Sequence, residues 1–153
     1  MKRLPPVEKI YEALTAIADK RVIFESDKSL PQGSAKVAAS SSDAVYDVTW
    51  ELNTYSSNDK GTYWQGYPGY PVIAVLMLQG KLPYDIDLAR QLANVRWKDV
   101  IHRHGNDYRA AVNEVLASRC IDAESAARIA DGIFQRLEQL PIAISRSSFT
   151  PPV

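Results

Sequence analysis

Residues 55–82 read Y-S-S-N-D-K-G-T-Y-W-Q-G-Y-P-G-Y-P-V-I-A-V-L-M-L-Q-G-K-L: a strand-like start, a loop rich in aromatic, glycine and proline residues, and an unbroken apolar run. Val72 to Leu78 has no polar face, so a helix here must be surrounded by protein. The run is far shorter than the roughly 20 residues that cross a bilayer, which makes it a core segment and excludes a membrane span. The remaining elements have to be arranged to cover it.

On its N-terminal side, Val7, Ile10, Tyr11, Leu14, Ile17 and Ala18 recur at steps of three and four after Pro5 and Pro6, the pattern of an amphipathic helix. A short strand on Val22, Ile23 and Phe24 follows, and the breaker sequence S-L-P-Q-G-S at 29–34 reads as a loop. Lys36 to Ala39 forms a second expected strand and Ser40 to Asp43 a hairpin turn. Ala44 to Leu52 then alternates, with Tyr46, Val48, Trp50 and Leu52 on one face and Val45, Asp47, Thr49 and Glu51 on the other.

From Asp85 onward the period is helical. Four helices are expected, on Leu88–Leu92, Trp97–His104, Tyr108–Leu116 and Ala126–Leu140, with Asp85, Asp107 and Asp122 as N-caps and Gly105 and Pro141 at stops or connections. The chain therefore reads as an α+β fold, with an N-terminal helix, a small antiparallel sheet and a C-terminal helical cluster. One domain is expected over 1–140, in which 10–82 holds the helix, sheet and core helix and 85–140 the cluster. The proline- and serine-rich 141–153 is expected to be an extended tail outside the fold.

The 153 residues are 46% hydrophobic, enough for a real core, and 18 basic residues balance 18 acidic ones. No whole-chain field draws the protein to nucleic acid or anionic lipid. A single cysteine, Cys120, and a start without an apolar leader place the chain in a reducing cytoplasm.

Seven of the eleven Trp and Tyr residues fall between 46 and 70, which marks a small core or a contact surface. Read as a contact surface, Tyr55, Tyr63, Trp64, Tyr67 and Tyr70 form a hot spot for a protein partner. This is the leading functional expectation: an interaction module, not an enzyme, with no cofactor.

The layout also resembles a SWIM-type zinc finger over residues 10–82. V-I-A-V-L-M at Val72–Met77 is similar to the I-L-A-V-L-L helix of those modules, and E-A-L-T-A-I-A-D-K-R-V and S-S-S-D-A-V-Y-D-V-T-W precede it as their strands and helix do. Aligned on the helix, the Cys-x-Cys and Cys-x-His ligand positions hold Ser56, Asn58, Gly69 and Pro71. None is a usual zinc ligand. The resemblance thus implies an architecture in which aromatic rings and prolines replace what the metal holds together; a buried helix of an unrelated α+β fold fits the same residues.

A second functional reading takes residues 72–104 as a DNA-binding helix-turn-helix, with Arg96, Lys98, His102 and Arg103 offered to a groove. Against it, 85–138 carries nine acidic residues to eight basic ones, and the turn before Val95 lacks the usual glycine. Other chemistry has little support. His102 and His104, two apart, point in different directions on a helix, which argues against a metal pair. Cys120 closes a helix, where the dipole disfavours a thiolate, so it is expected as a small buried residue. No phosphate-binding glycine motif is present, and Asp85 and Asp87 are better caps than an acid–base pair.

Overall fold

The computed structural model describes residues 3–152. Its elements are α1 (Lys9–Ala18), β1 (Val22–Phe24), β2 (Gln32–Ala38), β3 (Val45–Glu51), β4 (Thr54–Ser57), a π-helical turn (Gly61–Gln65), α2 (Tyr70–Leu78), α3 (Ile86–Gln91), α4 (Trp97–Arg103), α5 (Tyr108–Ser118), α6 (Ala123–Gln139) and β5 (Ala143–Ile144). The fold is α+β, with the N-terminal helix, the mostly antiparallel sheet and the C-terminal helical cluster in the expected order.

The apolar run is the core helix α2, and every residue from Pro71 to Met77 is buried. It packs between α1 and strands β1, β3 and β4 of the sheet, where Val48 and Tyr55 have no solvent exposure. On the other side of α1 lies α3, and α4, α5 and α6 close the cluster. Trp97 of α4 reaches α1, with its ring 6.4 Å from that of Tyr11 and its indole N–H on Thr15. The three aspartates cap as their local sequence demands. Asp85 accepts from the Leu88 amide, Asp107 from Ala110 and Asp122 from Glu124, each satisfying an amide that the helix start leaves unpaired.

The strand order is β1-β2-β3-β4-β5, antiparallel except for the parallel pair β4–β5. Four local expectations are corrected. The second strand begins at Gln32, inside the stretch read as a loop, because Gln32 and Gly33 pair with Glu51 and Trp50 and Gly33 leaves room for the Trp50 ring; a Cβ there would sit 2.5 Å from Trp50 Cζ2. Leu52 leaves the buried face of β3, because it turns into β4 with φ 54° and is 68% exposed. Cys120 is exposed, not buried, at a left-handed φ of 55° just past α5.

The fourth correction is the tail. It is extended but not outside the fold, since Ala143 and Ile144 pair with Thr54 and Tyr55. The Ser145 amide then donates to the Tyr55 carbonyl at 2.9 Å, and Asn58 Nδ2 donates to the Thr150 carbonyl at 3.1 Å. The outer edge of β4 offers unpaired backbone groups, and the tail satisfies them.

Candidate functional site

The loop after β4 is closed by Asp59. One carboxylate oxygen accepts the Thr62 amide at 3.1 Å and the other the Thr62 hydroxyl at 2.8 Å, while the Gly69 amide donates to Thr62 Oγ1 at 2.9 Å. Gly69 is required for space, since a Cβ there would lie 2.2 Å from Asp59 Oδ2. The closed loop lifts its middle outward as the π-helical turn, whose tip carries Trp64, 60% exposed. Tyr63 meets Trp64 edge-on at 4.7 Å, and the Arg146 guanidinium lies 5.0 Å and 5.6 Å from the two ring centres. A Trp, a Tyr and an Arg thus form one solvent-facing knob.

Of the other three aromatic residues expected on the contact surface, one is buried and two are half-buried. Tyr55 is fully buried, stacked on Trp50 at 6.4 Å; its hydroxyl donates to Gln79 Oε1 at 2.6 Å and accepts from Lys81 Nζ at 2.9 Å. It belongs to the core, because strand alternation turns it toward α2. Tyr67 and Tyr70 are half-buried. Burial pushes the Tyr70 phenol well above its ordinary value, against the opposing pull of Arg21, whose guanidinium lies 5.9 Å from the ring.

The four positions aligned with zinc ligands take separate partners. Ser56 Oγ pairs with Ser145 Oγ at 2.6 Å, Asn58 Oδ1 accepts the Asp47 amide at 2.7 Å, Gly69 adjoins Asp59, and Pro71 is buried at the start of α2. Among the described residues, no group of three or more His, Cys, Asp or Glu is arranged to hold a metal ion. Among the described residues, no helix is long and apolar enough to cross a membrane.

Of the four residues of the helix-turn-helix reading, Arg96 pairs with Asp99 at 2.9 Å and Arg103 with Glu114 at 2.5 Å. Lys98 and His102 instead line a cleft of about 650 Å³. This cleft lies between the start of α1, the β2–β3 turn and the α4–α5 connection, and sequence reasoning missed it. On its floor Glu12 of α1 is buried, 3.1 Å from Lys9 Nζ. Burial pushes the Glu12 carboxyl above the usual range, and the attraction of Lys9 only partly offsets that.

Lys9 behaves differently. Burial works against its charge too, but Glu12 and Tyr108 outweigh it and hold the ammonium well above its ordinary value. Its Nζ sits 4.7 Å from the centre of the Tyr108 ring. The near wall is the edge-to-face pair Tyr46 and Tyr70, at 6.2 Å and 88°. One signal was visible: Glu12 interrupts the otherwise apolar run of α1, one helical turn after Lys9.

The model of the family described as uncharacterised conserved protein UCP014422 matches residues 2–143. No curated protein and no solved structure matches the chain.

Proposed function

The chain belongs to this uncharacterised family, and from that premise we propose that it is an interaction module that docks a protein partner through the knob of Tyr63, Trp64 and Arg146. The observation that carries this reading is the exposure of Trp64, at 60%, beside a tyrosine ring and an arginine. Indole, phenol and guanidinium are the groups that most often dominate binding energy at protein interfaces, because each buries a large area and keeps a polar handle. Here they are presented on a loop whose conformation is held by Asp59, Thr62 and Gly69, so docking requires little ordering. The complementary surface is an apolar slot for the indole with a carboxylate at its rim for Arg146.

Quantitative pull-down with wild-type protein, Trp64→Ala and Arg146→Ala tests this. Expected is a partner captured by wild type, lost with Trp64→Ala and weakened with Arg146→Ala, at unchanged melting temperatures. Equal capture by folded Trp64→Ala would remove the reading.

A further inference from the structure

The aromatic knob leaves the cleft beside Glu12 unaccounted for. Its volume of about 650 Å³ falls within the range of roughly 300–1,000 Å³ usual for ligand pockets. The lining carries no excess of either sign, since Lys9, Lys60 and Lys98 stand against Glu12, Asp43 and Asp59. At the floor Lys9 and Glu12 offset each other at 3.1 Å, and the hydrogen bonds of Asp59 to Thr62 leave its charge in place. An anion or a cation entering here meets repulsion as well as attraction, so net charge is not what the cleft selects.

What the lining does offer is unspent hydrogen bonding of both kinds. Tyr46 of β3, Tyr108 at the start of α5 and Asn106 just before it all line the cleft, and among the described residues their side chains form no hydrogen bond. A phenol hydroxyl and a carboxamide each donate and accept. Asp43, exposed on the β2–β3 turn, adds an acceptor, and Lys98, exposed on α4, adds a donor; neither is in an ion pair among the described residues. The apolar part of the lining is aromatic: Tyr46 and Tyr70 meet edge to face at 6.2 Å, and Tyr108 adds a third half-buried ring. The negative face of such a ring attracts the weakly positive C–H bonds of a saturated polar ring.

We propose that this cleft binds a neutral carbohydrate of one or two sugar rings, its hydroxyls shared among Tyr46, Tyr108, Asn106, Asp43 and Lys98, and its C–H face against the tyrosine rings. A sugar hydroxyl is donor and acceptor at once, so a ring that carries several meets acid, amide and ammonium groups together and brings no charge of its own. A zwitterion would rest on Asp43 and Lys98 alone, and exposed ion pairs contribute little.

The experiment is an amide NMR titration of the full chain with D-glucose, D-galactose, N-acetyl-D-glucosamine and cellobiose, beside the charged probes D-glucosamine and D-glucuronate and the zwitterion L-phenylalanine. Saturable shifts are expected with at least one neutral sugar, at Ser42–Tyr46, Lys98–His102 and Asn106–Tyr108. Because that ligand is uncharged, its affinity should change by less than about twofold between about 50 and 500 mM salt. The double variant Tyr46→Phe/Tyr108→Phe keeps both rings and removes both hydroxyls, and it should weaken binding by about tenfold at an unchanged melting temperature. Asn106→Ala, on the surface, should weaken it by about three- to tenfold. The proposal is overturned by no saturable shift with any of the four neutral sugars, by shifts confined to residues outside the cleft, by a charged or zwitterionic probe binding about tenfold tighter than every neutral sugar, or by affinity that survives both the double tyrosine variant and Asn106→Ala.

Discussion

Trp97 Nε1 donates a hydrogen bond to the Thr15 hydroxyl at 2.8 Å, across 82 residues of chain. The same hydroxyl donates to the Leu92 carbonyl at 2.9 Å, so one fully buried threonine ties α1 to the end of α3 and the start of α4. Thr15→Val keeps the shape and removes both partners' pairing, leaving a buried N–H and C=O orphaned. Expected is a loss of about 1–3 kcal/mol in urea unfolding, with Thr15→Ser costing less. Equal stability of Thr15→Val and wild type would show that this junction does not hold the cluster to the core.

Gly69 and Asp59 touch so closely that a methyl group cannot enter. Gly69→Ala is expected to cost about 1–3 kcal/mol and to shift the amides of Thr62 and Trp64, because the Asp59–Thr62 clamp must open. Its φ of −72° suits any residue, so the whole cost is one of space. A variant with wild-type stability and spectrum would contradict the clamp.

Tyr55 and Trp64, nine positions apart in one loop-bearing segment, should separate stability from binding. Tyr55→Ala is expected to lose about 3–5 kcal/mol, and Tyr55→Phe about 1 kcal/mol with partner capture intact. Trp64→Ala should change stability by less than about 0.5 kcal/mol. Thermal melts beside the pull-down check both halves.

Glu12 makes stability depend on pH in the direction opposite to that of a salt-bridged surface carboxylate. Its folded value lies above the ordinary 4.5, chiefly through burial, so the native state holds the proton more tightly than the unfolded chain. Between 4.5 and that raised value, stability therefore falls as pH rises. Glu12→Gln removes this contribution, and unfolding free energies measured from pH 4.5 to 7 should decline less steeply than in wild type. An unchanged slope would place the titration elsewhere.

Deleting the chain from Ala143 reopens the edge of β4 and removes Arg146 from the aromatic rings. The expected cost is about 1–3 kcal/mol, from the lost backbone pairing and the Asn58–Thr150 bond. A melting temperature equal to that of the full chain would show the tail to be adherent but not stabilising.

Much of the fold was legible because its signals are local. The three- and four-residue steps of α1 and α3–α6, the alternation of β3 and the caps at Asp85, Asp107 and Asp122 all operate within one or two turns of chain. The site was legible only in part. Trp64 and Tyr63 were named for their residue types, but the same argument also named Tyr55, since ring chemistry is identical whether the ring faces solvent or α2.

The sequence by itself determined the α+β order, the burial of Val72 to Met77 and the helix starts, because periodicity and capping are properties of neighbouring residues. Tertiary structure alone decided that Tyr55 is core, that the tail becomes a strand, and that Glu12 meets Tyr46, Tyr70, Lys98 and His102 around one cleft. Those outcomes depend on groups as far apart in sequence as Asn58 and Thr150, 92 residues, and which distant surface a side chain meets is set by the packing of whole elements.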